Sequence, residues 1–249
     1  IVAYDGVPTA RFQLMVPGDQ LGDLSFPLMV KPYSEGTSIG ISQKSKVHDV
    51  SELEHAVNSV YTQFNEAALV EEFLPGKEYT IGLIGQYVLP VLEIDFTKIP
   101  GQPHVRDPHV KDIENPYITH LAWTDKAREY AKIAIEAHES LEVRDYNRMD
   151  FRERDDQLYF LEANVIPGLH PTEADLTTMC RHAGVAHNDM IALIVQAAVQ
   201  RLSPRYPDRY AGKTELLAEL TKLAVTKALS AGTITHRGRT YTLLGSQAS

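Results

Sequence analysis

Asp150, Glu162 and Asn164 are oxygen-bearing side chains on two apolar stretches, "YNRMDFR" and "LYFLEANV", separated by the polar "ERDDQ". A separation of that length predicts a hairpin. With the turn centred on Asp156, Asp150 stands opposite Glu162 and Arg148 opposite Asn164. Opposite residues of a strand pair share a face, so all four side chains converge. Two carboxylates and an amide are hard ligands suited to magnesium or manganese. The same residue types also make an ordinary solvated strand end, here cut off by Pro167 and Gly168. Arg148 adds a reason for the metal reading, because a guanidinium beside a metal-held anion neutralises charge that develops in a transition state. Its plainer role is a salt bridge to Glu162 or Asp150.

A second group lies upstream. "FPLMVKPYSEGTSIGI" reads as a buried strand ending at Lys31, a loop from Glu35 to Gly40 that contains Gly36, Thr37 and Ser38, and the start of another strand. Its amides and hydroxyls could wrap phosphate oxygens, with Lys31 as a point charge. It is neither the glycine-lysine-threonine phosphate loop nor the dinucleotide fingerprint, and its composition also suits a simple turn. Glu71, Glu72 and Glu78 read on their own as solvated strand ends.

The elements that must hold these groups follow from periodicity. Val50 to Phe64 has helical spacing of Leu53, Val57, Val60 and Phe64, with Ser51 as N-cap and Glu54 completing a capping box. Two strands flank a turn at Gly85 and Gln86. Residues Ile99 to Thr119 lack a period and read as a long loop of the functional kind. Thr124 caps a helix reaching Leu141, with Ala127, Ala131, Ile135 and His138 on its inner side. Leu176 to Arg201 is helical, and Pro204 and Pro207 mark the end of the organised unit. Beyond them stand a helix, "TELLAELTKLAVTKAL", and a hairpin, "THRGRTYTLL". His104, His109 and His187 lack metal-ligand spacing, and Cys180 reads as core packing.

Composition narrows the partners. A net charge of -9, from 24 basic and 33 acidic residues, is the wrong sign for holding nucleic acid or anionic lipid by counterion release. The longest apolar runs fall short of the ~20 residues that cross a bilayer. No nucleic acid and no membrane are therefore expected. One cysteine leaves no intrachain disulfide framework and fits the cytoplasm. The chain opens on Ile1 with no charged-then-apolar leader, which predicts a piece of a longer protein.

From about Val7 to Arg201 the order of four blocks, "FPLMVKPYSEGTSIGI", "LVEEFLPGKEYTIGLIG", "NRMDF" and "LYFLEANVIPG", resembles the ATP-grasp fold and, within it, the D-alanine–D-alanine ligases. The resemblance implies an α/β (α+β) fold whose two subdomains, each with an antiparallel sheet, clamp the nucleotide. Residues 1–75 would be the central subdomain, 76–203 the C-terminal subdomain with the metal site, and 204–249 an extra tail; the family's N-terminal substrate domain would be missing. It implies an ATP-dependent ligase joining a carboxylate to an amine through an acyl phosphate, as in cell-wall precursor synthesis. Lys31 and the loop of Glu35, Gly36, Thr37, Ser38 and Gly40 would hold phosphates. Glu71, Phe73 and Leu74 would form the adenine hinge and Glu78 would bind the ribose. Asp150, Glu162 and Asn164 would hold two Mg2+ or Mn2+ ions, Lys111 would reach phosphate, and Arg148 would steady the oxyanion. Substrates would be amino acids, and a homodimer is expected. Three positions depart from the family: Glu173 and Ala174 replace residues that grip the second substrate's carboxylate, and Asp112 replaces a tyrosine. They leave open a ligase for other amino acids or peptides, and a non-catalytic Mg-ATP-binding module.

Overall fold

Strands β1 (Phe12–Met15), β2 (Leu28–Pro32) and β3 (Lys46–Val47), helix α1 (Val50–Phe64) and strand β4 (Ala68–Glu72) make the first layer. They belong to a computed structural model that describes residues 1–36, 38–113, 115–228 and 230–246. The four strands pair antiparallel in the order β1-β4-β2-β3. Leu53, Val57 and Val60 of α1 cover Leu28, Val30, Val47 and Val70. The cap of α1 differs from the expected Ser51: Asp49 accepts from Glu52 N at 2.9 Å, and Glu52 reciprocates by accepting from His48 N at 2.8 Å. Aspartate and serine each stand three residues before a glutamate, and the chain is extended at Asp49, so the earlier box wins. The strand expected straight after the glycine loop is a 3-10 turn at Gln43–Ser45 followed by the two residues of β3.

The second layer contains β5 (Glu78–Ile84), β6 (Tyr87–Val88), β7 (Leu92–Ile94), α2 (Pro108–Ile113), β8 (Ile118–His120), α3 (Asp125–Ser140), β9 (Tyr146–Arg154), β10 (Gln157–Asn164), α4 (Asp175–His182), α5 (His187–Leu202), α6 (Pro207–Tyr210), α7 (Lys213–Lys227), β11 (Ser230–His236) and β12 (Arg239–Leu244). Its sheet runs β10-β9-β5-β6-β12-β11, with β7 and β8 branching from β5. Alternation gives the sheet two different faces. Tyr79, Ile81, Leu83, Met149 and Phe151 face the core under α3, with Tyr130 and Ala131. Arg148, Asp150 and Arg152, which alternate with them on β9, face the other way. Thr124 caps α3 as the sequence predicts, its Oγ1 accepting from Ala127 N at 3.2 Å.

Several predicted boundaries shift. The long loop of residues 99–119 contains α2 and β8, because Asp107 accepts from Val110 N at 2.9 Å and so starts a helix at Pro108. The single helical pattern after Leu176 is two helices, broken where Gly184 takes φ 79. The largest difference is the tail. Pro204 does not end the organised unit: β12 pairs parallel with β6, Thr242 opposite Tyr87, so the larger sheet is mixed and not purely antiparallel. Tyr241, Leu243, Ala231 and Ile234 enter the core under α3. Trp123 Nε1 donates to Leu244 O at 2.7 Å. At the other end, Val2 and Val7 also enter that core, Phe160 N donates to Pro8 O at 2.8 Å, and Thr9 makes an isolated bridge to Phe160.

One buried histidine gives the fold a pH signature. Burial pushes His138 of α3 down to about 4, and Asn147 Nδ2 lies 2.8 Å from its Nδ1. The unfolded chain takes up this proton near its ordinary 6.5 and the folded chain only near 4. The unfolded state therefore binds more protons between those values, and stability, complete above about pH 6.5, falls as pH drops through the window. Urea midpoints should decline over that interval in the parent protein and decline less in His138→Gln. A parent midpoint that stays flat would contradict the assignment.

Candidate functional site

A cleft open to solvent lies between the two sheets. Its floor is the outward face of β9 and β10. The hairpin turn is the two-residue Asp155–Asp156, both at positive φ, tighter than the five-residue loop expected. Arg154 pairs with Gln157 and Phe151 with Phe160; a register shift at Leu161 then sets Asp150 opposite Glu162 and Arg148 opposite Asn164. That bulge decides the chemistry. Without it, alternation would put Glu162 on the same face as Leu158 and Phe160, which are in the core.

Around Asp150 the contacts are short. Its Oδ1 accepts from Thr80 Oγ1 at 2.8 Å, and its Oδ2 from Arg148 Nη2 at 2.8 Å and Asn164 Nδ2 at 3.3 Å. Asn164 Nδ2 also donates to Glu162 Oε1 at 3.1 Å. Burial disfavours the charge on Asp150, but Arg148, Arg106 and Thr80 outweigh it and hold the carboxyl below its ordinary value. One amide thus bridges two carboxylates. Rotating it by half a turn presents an oxygen instead, so the donor set fits a hard divalent cation. Among the described residues no three His, Cys, Asp or Glu side chains cluster as metal ligands; this set needs its asparagine.

Lys31 projects from β2 into the cleft, 2.8 Å from Glu71 Oε1. Its burial opposes the charge, but Glu71 prevails, with Glu162 and Glu78 assisting, and the ammonium is held above its ordinary value. Glu71, Phe73 and Leu74 line the wall where the chain crosses between sheets, and Glu78 opens β5 opposite Arg152. Lys111 of α2 also lines the cleft, its pKa lowered by burial and by Arg106 and Arg148. In the glycine loop, Ser38 lines the cleft, while Glu35 and Gly36 line an adjoining hollow with Asn164. Thr37 lies outside the described residues. Gly40 stands apart: at φ 74, with a Cβ destined for 2.6 Å from Pro32 Cγ and 2.9 Å from Phe64, it lets the loop pack on α1 and does not face the cleft. The glycine loop and its 3-10 turn are tied to the segment opposite. Ser38 Oγ donates to Arg106 O at 2.9 Å, Gln43 Nε2 to Val105 O at 3.0 Å and to Asp107 Oδ2 at 2.8 Å, and His104 N to Gln43 Oε1 at 2.7 Å.

Three residues in or beside the cleft are not marked by the sequence motifs. Arg152 is buried with its guanidinium 4.9 Å from the Phe73 ring centre and 4.7 Å from that of Phe96. Its alternation with Arg148 and Asp150 was a readable signal. Arg106 and Asp175 are joined to Arg148 only by tertiary contact, and nothing local marks them. Glu173, expected in the substrate pocket, is 81% exposed and lies 3.8 Å from His170; α4 starts two residues later and turns Asp175 inward instead. The side chain of Asp112 lies outside the described part.

The family model described as the D-ala D-ala ligase C-terminus matches residues 6–196. The chain belongs to this family. Similar curated proteins include a D-alanine–D-alanine ligase from Pediococcus pentosaceus, 28% identical over 209 residues, 78% of this chain and 55% of that protein. Another is the uncharacterised protein y4sG from Sinorhizobium fredii, 30% identical over 203 residues, 79% of this chain and 59% of that protein. The chain thus spans little more than half the length of these relatives. A solved D-alanine–D-alanine ligase from Bacillus anthracis superposes with a TM-score of 0.66 at 21% identity, covering 82% of this chain and 66% of that one. Its complex with ATP gives 0.62 at 20% identity, covering 80% and 62%. The D-alanine–D-alanine ligase family and the ATP-grasp fold are therefore established for residues 6–196, and the β11–β12 hairpin lies beyond the matched part. Among the described residues no helix is long and apolar enough to cross a membrane.

Proposed function

We propose that this chain is the ATP-binding part of an ATP-dependent carboxylate–amine ligase of the D-alanine–D-alanine ligase kind, working in the cytoplasm on amino acid substrates for cell-wall precursors. The observation that carries it is that Asp150 and Glu162 line one cleft with Lys31 and Lys111, while Arg148 and Asn164 are hydrogen-bonded to those two carboxylates. The division near residue 75 lets two sheets close on the nucleotide. Its base occupies the end of the cleft at Phe73, Leu74 and Arg152, Glu78 takes ribose hydroxyls, and the phosphates run toward Asp150 under the Ser38 loop.

A substrate carboxylate oxygen attacks the γ-phosphorus, the bond to the β–γ bridging oxygen breaks, and ADP leaves an acyl phosphate. The amine of the second substrate attacks the acyl carbon, loses a proton and expels inorganic phosphate, leaving the amide. Lys31 and Lys111 hold phosphate oxygens, and Arg148 faces the oxygen that gains charge. Asp150, Glu162 and Asn164 would hold two Mg2+ or Mn2+ ions, which would supply neutralisation of phosphate charge. A second reading, ligation of a different amino acid or peptide, is favoured by Glu173 and Ala174, which stand just before α4 where the family grips the second substrate's carboxylate.

The test uses the complete protein. ADP release should rise with particular pairs from a panel of D- and L-amino acids and vanish with EDTA, returning on addition of Mg2+. A pair other than two D-alanines supports the second reading. ADP release that no amino acid raises above the ATP-only background leaves a binding module.

A further inference from the structure

The most unusual arrangement in the cleft is one carboxylate holding two guanidinium groups. Asp175 Oδ2 lies 3.1 Å from Arg148 Nη1, and its two oxygens lie 3.4 and 3.3 Å from Arg106 Nη2. An aspartate in the first turn of a helix ordinarily serves that helix, yet α4 has Ala174 as N-cap with no side-chain cap bond, and Asp175 pairs with Arg106 and Arg148 instead. Arg106 comes from the segment before α2, Arg148 from β9 and Asp175 from α4. Three elements with no local relation therefore meet at one point.

The position of that point along the cleft gives its use. Arg148, Asp150 and Arg152 share a face of β9 at steps of about 7 Å. Arg152, against Phe73, marks the hinge end; Arg148 marks the far end, where a triphosphate laid along the floor would finish. There Arg106, Arg148 and Lys111 bring three positive charges to Asp150 and Asp175, and burial and mutual repulsion already lower the pKa of Lys111. Arg148 Nε is buried with no hydrogen-bond partner among the described residues. A guanidinium presents a planar fork of donors matched to phosphate and carboxylate oxygens.

Resting on the ligase reading above, we propose that Arg106 is a second anion-binding arginine, which with Arg148 forms a two-guanidinium clamp on the transferring phosphoryl group, and that Asp175 is the positioning residue that sets the clamp. Arg106 also carries the backbone carbonyl that accepts from Ser38, so the clamp is seated when the glycine loop is down.

The test compares the complete protein with Arg106→Ala and Asp175→Asn, measuring equilibrium affinity for a β,γ-imido ATP analogue and for ADP at fixed Mg2+, together with amino-acid-dependent ADP release. The clamp should touch the terminal phosphate only. Both variants should therefore lose about tenfold in analogue affinity while ADP affinity changes by less than about twofold, the scale of one charge-assisted contact. An unchanged analogue-to-ADP ratio overturns the proposal, whether or not the variants melt earlier. Tighter analogue binding by Asp175→Asn would show that Asp175 acts only as a repelling charge and overturns its positioning role. If the parent protein turns over no amino acid, the ligase reading fails, and the ratio still decides the clamp.

Discussion

Arg148→Ala should lower amino-acid-dependent turnover by about 10²–10³-fold, the usual cost of one lost oxyanion donor. Its Nη2 is 2.8 Å from Asp150 and its Nη1 is 3.1 Å from Asp175, so the variant also leaves two carboxylates without their shared cation. Removing one partner of a buried pair costs stability as well, typically about 3–5 kcal/mol. Arg148→Lys separates the two effects, because it keeps the charge and loses the planar fork. The alanine variant should melt earlier and turn over slowly; the lysine variant should keep most of the stability and still be slow. Rapid kinetics on folded lysine variant would remove Arg148 from the chemistry.

Ending the chain at residue 228 should abolish cooperative folding of the larger sheet. The lost hairpin buries Tyr241, Leu243, Ala231 and Ile234 in the core under α3. Each large apolar side chain so buried contributes about 1.5–3 kcal/mol, and the sum approaches the 5–15 kcal/mol that is the whole stability of a typical domain. Truncation also uncovers the edge of β6 and removes the acceptor of the Trp123 indole. The milder Leu243→Ala should cost about 2–5 kcal/mol in urea unfolding. A truncated chain that melts with an unchanged midpoint would show the hairpin to be an ornament.

These two expectations lie at opposite ends of what the sequence discloses. The pairing of Arg148 and Asp150 with Asn164 and Glu162 is legible because a hairpin is local: two strands, a short polar turn and alternation settle which residues meet. Even there the turn is tighter than read, and a bulge at Leu161 that no pattern announces brings the same pairs back into register. The capping of α3 by Thr124 is local too. The tail is not, since its place depends on β12 finding β6 across most of the chain, and propensity carries no address of that kind. Asp175 is hidden for a similar reason. Glu173 is the conspicuous acid, but the point where α4 begins decides which side chain turns inward. Arg152 was accessible in principle, two residues beyond Asp150 on the same face.

The bonds that tie Ser38 and Gln43 to residues 104–107 bear on how a nucleotide would come and go. Each such bond is worth about 0.5–1.5 kcal/mol against water, so the four together make a latch that thermal motion can lift but does not leave ajar. Residence time in the cleft is then set by how often the latch opens as much as by what grips the ligand inside, and trimming Gln43 would quicken escape without touching a single phosphate contact.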